Sequence, residues 1–115
     1  MSDINALTQK LIQFRNERDW EQFHKPKDLA IYVSLEAAEV LEHFLWKSEA
    51  EIKEYLKSHK EDMADEMGDV INCLLLLANA ADIDIIQAGE NKLKKNAKKY
   101  PIEKAKGNAK KYNQY

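Results

Sequence analysis

Two pairs of carboxylates at helical spacing are the residues of this chain that are best placed to do chemistry. Glu36 and Glu39 lie three residues apart, and so do Glu66 and Asp69. Residues three apart lie on one face of an α-helix, about one turn from each other. Both pairs interrupt segments that are otherwise apolar. The two predicted helices must pack together to bury their apolar sides, and this brings the carboxylates close to one another.

Clustered carboxylates in a partly dry site repel one another, so the cluster is unfavourable unless something neutralises its charge. An all-oxygen site without cysteine or paired histidine suits a hard cation, Mg²⁺ or Mn²⁺. The alternative is that both pairs are solvated faces, but this does not explain why acidic residues interrupt segments that would otherwise be core. The sequence therefore predicts a metal site. His43 continues the stripe of Glu36 and Glu39, and we interpret it as a partner of the ligands and not as a ligand.

The composition favours a single all-α domain over residues 1–115, with a lysine-rich tail from about residue 104. Glycine and proline, three and two residues, are scarce, while residues that favour helices abound. No apolar run reaches the length of a membrane span, and the first residues lack the layout of a signal peptide. Cys73 is the only cysteine, which excludes an internal disulfide and suits a reducing compartment. We therefore expect a cytoplasmic protein without a membrane partner.

Hydrophobic spacing and helix-breaking residues divide the chain into a bundle of four to five helices. The predicted helices cover about residues 4–18, 26–47, 48–57, 60–81 and 83–99. Pro26 suits the first turn of the second helix, and Ser48 with Glu51 forms a capping box for the third. Asp82 is the predicted cap of the fifth helix, and Pro101 ends it.

The fourth predicted helix is apolar on most of its circumference. This pattern favours burial between several helices and an interface between subunits. Gly68 lies inside this helix, where glycine costs up to ~1 kcal/mol relative to alanine. Its presence indicates the close approach of another helix or of a ligand.

Aromatic residues flank the first acidic helix. Trp20 lies in the loop before it and Trp46 at its end. Such rings can stack on a nucleobase, and ordinary packing is the alternative. His24, in the same loop as Trp20, is a candidate contact to a phosphate or a base, or an exposed loop histidine.

Charge is unevenly distributed along the chain. Residues 1–91 hold nine basic and nineteen acidic side chains, whereas residues 92–115 hold nine lysines and one acid. Lys92, Asn96 and Lys99 fall on one face of the last predicted helix, with Tyr100 beside them. This face could hold phosphate oxygens or be a plain solvated surface. The tail could bind nucleic acid or a polyphosphate, or pair with the acidic body of the same protein or of a neighbour. It could also be solvated and partly frayed.

The two acidic pairs, separated by a gap of 26 residues, resemble the signature of the all-α nucleoside triphosphate pyrophosphohydrolases, the MazG and dUTPase superfamily. Further segments resemble the dCTP pyrophosphatase branch of the MazG-like proteins. These segments are Arg18-Asp19-Trp20-Glu21-Gln22-Phe23-His24, Pro26, Trp46-Lys47-Ser48 and Lys99-Tyr100-Pro101. The resemblance covers about residues 4–107. The sequence departs from the family pattern at two positions near the base or sugar. Relatives carry tyrosine where this chain has Cys73, and histidine where it has Leu11.

The resemblance implies an oligomeric all-α enzyme that cuts a nucleoside triphosphate between its α and β phosphates. The expected substrate is dCTP or a related or modified deoxynucleotide, as in clearance of the nucleotide pool, and the products are the monophosphate and pyrophosphate. Family members are homodimers or homotetramers whose sites are completed across the interface. The resemblance assigns the following residues: Glu36, Glu39, Glu66 and Asp69 to Mg²⁺; Trp20, His24 and Trp46 to the base pocket; Lys92, Asn96, Lys99 and Tyr100 to the phosphates.

The mechanism expected from these charges uses Glu36 or Glu39 to orient or deprotonate the attacking water. Two alternatives from other classes remain. One is a non-catalytic helical module whose acidic stripe binds a basic helix of a partner. The other is a nucleic-acid binder that uses the lysine-rich tail, although the acidic body argues against it, and we expect no nucleic-acid partner.

Overall fold

The computed structural model describes residues 3–115, and every regular element in this part of the chain is helical. The α-helices are α1 Asp3–Glu17, α2 Pro26–Glu42, α3 Glu49–Ser58, α4 Lys60–Ala80, α5 Ile85–Lys99 and α6 Ile102–Ala105. Two short 3₁₀ helices cover Glu21–Phe23 and Tyr112–Gln114. The all-α prediction is confirmed. Within the described residues, no helix combines the length and the apolar character that crossing a bilayer requires.

The α2 helix ends earlier than predicted. Hydrophobic spacing continues to Lys47, but the regular helix stops at Glu42. After this point the backbone N–H groups of His43 and Phe44 bond to carbonyls three residues back, at 3.3 and 2.9 Å. Trp46 then adopts a left-handed conformation, with φ of 63°. The helix therefore tightens and stops, and periodicity alone could not detect this change.

Helix caps explain two further boundaries. The capping box before α3 is confirmed, because Ser48 Oγ accepts from the Glu51 N–H and Glu51 Oε1 accepts from the Ser48 N–H, both at 3.2 Å. The predicted cap of α5 is wrong by two residues. Asp84, and not Asp82, accepts a hydrogen bond from the Gln87 N–H at 3.1 Å, while Asp82 lies in the preceding turn with φ of 55°.

The described chain forms two compact units, the first ending at Asp82 and the second covering Ile83–Tyr115. In the first unit, α4 packs mainly against α2 and also against α1 and α3. The buried apolar side chains come from α2 and α4, and they are Leu29, Met63, Leu75, Leu76 and Ala78. The pair of α2 and α4 is therefore both the centre of this unit and the support of the two acidic motifs.

Large apolar side chains of these two helices also remain exposed. On α4, Met67 is 59% exposed, and on α2, Leu35 is 55% exposed. A Cβ added to Gly68 would meet no heavy atom within 4 Å. Within the described part of this chain, no second helix therefore approaches Gly68 closely, and the alternative, a ligand beside Gly68, stays a prediction.

The second unit consists of α5, α6 and the C-terminal 3₁₀ helix. The Tyr100 ring makes edge contacts with the rings of Tyr112 and Tyr115, each with centroids 6.0 Å apart. Lys99 Nζ lies 5.0 Å from the centroid of the Tyr112 ring. The lysine-rich tail thus returns to the end of α5, while its lysines remain exposed.

Candidate functional site

Three carboxylates converge where α2 and α4 pack together. Glu36 and Glu39 from α2 and Glu66 from α4 each place a carboxylate oxygen within 4.8 Å of the other two. Glu36 and Glu66 are half-buried and Glu39 is exposed. The spacing of three residues puts both α2 carboxylates on one side of that helix, and the packing of α4 supplies the third. Such a group could hold a metal ion.

The fourth predicted ligand lies outside this group. Asp69 is one turn beyond Glu66 on α4, and its side chain is exposed. It is nevertheless close enough for its charge to raise the pKa of Glu36, of Glu66 and of the Cys73 thiol. Asp69 is therefore an acidic neighbour of the three converging carboxylates.

The carboxylates strongly perturb one another. The pKa of Glu36 is raised to about 7, first by burial, then by a hydrogen bond with Glu39 and by the surrounding negative charges. The pKa of Glu66 is also raised, first by its hydrogen bond with Glu39 and then by burial. Burial and the charges of Glu36 and Asp69 raise the pKa of the Cys73 thiol. Without a cation, this cluster retains a proton near neutral pH, because burial and the repulsion between its carboxylates oppose full ionisation.

Two buried carboxylate oxygens of the cluster accept no hydrogen bond. Glu36 Oε2 and Glu66 Oε2 are buried and have no hydrogen-bond partner. Leaving a buried acceptor unsatisfied is costly, and more so when it is charged. A hard divalent cation would satisfy both atoms with the oxygen ligands that it prefers. The residues present therefore fit the predicted kind of metal.

His43 lies beside the cluster and outside the group of converging oxygens. Its Nε2 is 3.8 Å from Glu66 Oε1, and its Nδ1 is hydrogen-bonded to the Tyr55 hydroxyl. This position is consistent with its interpretation as a partner of a ligand. Tyr55, on α3, was not identified from the sequence. The one sequence feature that could have indicated Tyr55 is its spacing of three residues from Ile52, which puts both on the inner side of a short amphipathic helix.

The predicted aromatic residues are brought together only in part. The rings of Trp20 and His24 make an edge contact at 6.2 Å, and His24 in turn contacts Tyr32 at 6.0 Å. Tyr32 lies on α2, one turn before Glu36, so this aromatic group adjoins the acidic helix. His24 Nδ1 is buried without a hydrogen-bond partner. Trp46 is 97% exposed and so does not pack against Trp20 within the described residues.

The predicted phosphate-binding residues belong to the second compact unit. Lys92 and Lys99 are exposed, whereas Asn96 and Tyr100 are half-buried at the C-terminal end of α5. The Asn96 carbonyl accepts a hydrogen bond from the Tyr100 N–H at 2.8 Å, which closes the helix. Their role toward phosphate stays a prediction.

Comparison with known proteins places the chain in a family. The model of the MazG-like family matches residues 31–114. The chain is 38% identical over 114 residues to dCTP pyrophosphatase 1 of Rattus norvegicus and 35% identical to that of Homo sapiens. Both matches cover 97% of this chain, which spans only 65% of the length of either relative.

A solved structure is similar to this one over most of both chains. The crystal structure of a pyrophosphatase from Archaeoglobus fulgidus is similar to this one, with a TM-score of 0.83 and 39% sequence identity. The match covers 88% of this chain and 94% of that chain. The family match covers well over half of the chain, and it includes both acidic motifs. The chain therefore belongs to the MazG-like family of proteins.

Proposed function

We propose that this protein is a Mg²⁺-dependent nucleoside triphosphate pyrophosphohydrolase. Its substrate is dCTP or a related or modified deoxynucleoside triphosphate, and its products are the monophosphate and pyrophosphate. The observation that carries this proposal is the convergence of Glu36, Glu39 and Glu66, with two buried oxygens that lack a partner. The relatives named dCTP pyrophosphatase 1 and the solved pyrophosphatase support the choice of reaction and substrate.

Glu36, Glu39 and Glu66 would hold the metal, and Asp69 would be the fourth ligand. When bound, Mg²⁺, or Mn²⁺ in its place, would neutralise triphosphate charge and increase the electrophilicity of the α-phosphorus. Glu36 or Glu39 orients the attacking water and accepts its proton. The water oxygen bonds to the α-phosphorus, the bond to the bridging oxygen breaks, and pyrophosphate leaves with the bonding electrons.

The rest of the substrate is held by the other residues that the family resemblance assigns. Trp20, His24 and Trp46 bind the base, because a flat ring can stack on a base without many hydrogen bonds. The unpartnered Nδ1 of His24 and the exposure of Trp46 support this role. The phosphates are bound by Lys92, Asn96, Lys99 and Tyr100, and their charges and donors stabilise the leaving pyrophosphate.

The active form is a homodimer or a homotetramer. Exposed Leu35 and Met67 on the two helices that carry the acidic motifs support this assignment, because a second subunit would bury them. The whole chain acts as one MazG-like domain with a lysine-rich tail, since the family match extends across both compact units. A single cysteine suits the reducing environment of the cytoplasm.

The proposal is tested with a panel of canonical and modified nucleoside triphosphates in the presence of Mg²⁺. Pyrophosphate and orthophosphate are measured separately, and EDTA serves as the control. The expected result is pyrophosphate as the inorganic product, with dCTP or a modified deoxynucleotide among the best substrates. No turnover of any nucleotide would instead favour an interaction module. Salt-dependent DNA binding that is lost on deletion of residues 104–115 would favour a nucleic-acid binder.

A further inference from the structure

A line of side chains connects α3 to the acidic cluster. The Tyr55 hydroxyl is hydrogen-bonded to His43 Nδ1, and His43 Nε2 lies 3.8 Å from Glu66 Oε1. The His43 side chain is 16% exposed and that of Glu66 is 26% exposed, so the line runs through a mostly covered part of the protein. Two ring nitrogens of one histidine thus face two different partners, a hydroxyl and a carboxylate.

The ring of Tyr55 is itself held in place by two contacts. It stacks on the His59 ring, with centroids 4.2 Å apart and planes 7° from parallel. Lys47 Nζ lies 4.5 Å from the centroid of the Tyr55 ring and also donates a hydrogen bond to the His43 carbonyl at 2.7 Å. These contacts join the end of α2, the middle of α3 and the start of α4 around the tyrosine hydroxyl.

The chemistry of the partners selects one tautomer of His43. A hydroxyl can donate or accept, whereas an ionised carboxylate can only accept. If the Tyr55 hydroxyl donates to Nδ1, the ring proton lies on Nε2 and is directed to Glu66. The other tautomer would place the lone pair of Nε2 opposite a carboxylate oxygen, and two acceptors would then face each other. With Glu66 ionised, as it would be when it holds the metal, the arrangement that satisfies all three groups has the proton on Nε2.

We propose that Tyr55 and His43 are positioning residues for Glu66. Tyr55 fixes the tautomer and the ring orientation of His43, and His43 directs its Nε2–H toward Glu66 Oε1 at 3.8 Å. This electrostatic contact, longer than a hydrogen bond, holds the carboxylate in place. The other oxygen, Oε2, is buried without a partner and stays available for the metal. This inference rests on the proposed metal site. Outer-shell partners of this kind typically change metal affinity by about 10- to 100-fold when they are removed.

The first test measures Mn²⁺ affinity of the full chain by isothermal titration calorimetry, without substrate. His43→Leu removes the donor at similar volume, and we expect affinity to fall about 10- to 100-fold. Tyr55→Phe keeps the stacked ring and removes only the hydroxyl, and we expect a fall of about 3- to 10-fold. His43→Gln restores an N–H donor and should recover part of the loss. Tyr112→Phe, in the other compact unit, is the matched control and should bind as the unaltered protein does.

A second readout separates positioning from a merely structural role. In the Mg²⁺-loaded protein, nitrogen-15 spectra of the His43 ring should show a protonated Nε2 and an unprotonated Nδ1. Tyr55→Phe should lose this preference while its metal-free unfolding temperature changes by only a few degrees. A proton on Nδ1 in the unaltered protein would overturn the inference.

The outcomes also separate this inference from the proposed function. If the unaltered protein binds no Mn²⁺, the metal site itself is wrong, and the positioning role is wrong with it. If the unaltered protein binds Mn²⁺ and both Tyr55→Phe and His43→Leu bind it equally well, the metal site stands and only the positioning role is overturned. Tyr55→Phe, which keeps the stacked ring, keeps the test decisive even if His43→Leu does not fold: unchanged Mn²⁺ affinity in this variant overturns the positioning role.

Discussion

Glu36, Glu39 and Glu66 place their carboxylate oxygens within 4.8 Å of one another, and an amide at any of these positions removes a charge at nearly constant size. We expect Glu36→Gln, Glu39→Gln, Glu66→Gln and Asp69→Asn each to lower kcat/KM by about 100-fold or more, because a lost ligand should cost more than a lost outer-shell partner. Circular dichroism should show an intact fold.

Exposed carboxylates of the same helices provide matched controls for these variants. Glu42→Gln on α2 and Asp65→Asn on α4 remove equivalent charges outside the converging group, and both should keep near-normal turnover. If all four ligand variants were as active as the two controls, the assignment of the site would be wrong.

The raised pKa of Glu36 predicts how stability depends on pH when no metal is bound. The native state holds a proton on this group up to about pH 7, whereas the unfolded chain releases it near 4.5. Between these two values the native state binds more protons, so the stability of the native state falls as pH rises. In EDTA, the unfolding temperature should decrease as the pH is raised from about 4.5 to about 7.

Glu36→Gln should remove part of this pH dependence, because glutamine has no proton to lose. By relieving repulsion it should also raise the unfolding temperature of the metal-free protein near pH 7 by a few degrees. An unchanged pH profile in this variant would show that the pKa of Glu36 is not raised in the folded protein.

The residues of the acidic cluster could be predicted from their spacing, because two carboxylates three apart on an apolar helix have few structural explanations. The position of Asp69 outside the converging group could not, since it depends on the distance and rotation between α2 and α4. Tyr55 was missed because its importance arises from a contact with His43, which lies twelve residues earlier in the chain, just after the end of α2.

Some helix boundaries could be predicted from local sequence, where a side chain caps the helix, although the cap of α5 is Asp84 and not Asp82. The capping box of Ser48 and Glu51 is an example, because the signal lies within four residues. The end of α2 could not be predicted in the same way. Its last turn is tightened by backbone hydrogen bonds and ends at Trp46 in a left-handed conformation, and neither feature changes the hydrophobic spacing.

The short connection between α2 and α3 presents Trp46 almost fully to solvent, with 97% of the residue exposed. Such a ring contributes little to the core of this chain and can be removed without loss of folding. Stacking on a base is worth roughly 1–3 kcal/mol, so we expect Trp46→Ala to lower kcat/KM by about five- to a hundred-fold. Affinity for Mn²⁺ should not change.

Tryptophan fluorescence provides an independent measurement of the same role. Binding of dCTP to a catalytically inactive Glu39→Gln variant should quench emission, and pyrophosphate should do so much less. The variants Trp20→Phe and Trp46→Phe assign the signal to one ring. Equal quenching by dCTP and pyrophosphate, together with a fully active Trp46→Ala, would indicate that the tryptophans only pack.

At the scale of the whole molecule, the small buried core contrasts with the exposed apolar residues of α2 and α4. Light scattering at micromolar concentration should give two or four times the mass of one chain, because association would bury these side chains. Met67→Lys should weaken association, whereas Leu56→Lys, at an exposed leucine of α3, is the matched control. A stable monomer with full activity would contradict this prediction.

The all-α class and the pairing of the two acidic helices could be predicted from composition and spacing, because both depend on averages over many residues. The arrangement of whole subunits could not, since exposed Leu35 and Met67 look the same in sequence as core residues. Only the folded chain distinguishes the apolar side chains that the core buries from those that remain exposed.

The most direct test of the central claim is hydrolysis of dCTP in water enriched in oxygen-18, with Mg²⁺ present. Attack of water on the α-phosphorus, with Glu36 or Glu39 as the proton acceptor, predicts that the label appears in the nucleoside monophosphate and that pyrophosphate remains unlabelled. Glu39→Gln should greatly reduce both products. Label in pyrophosphate, or release of orthophosphate as the first inorganic product, would contradict the proposed reaction.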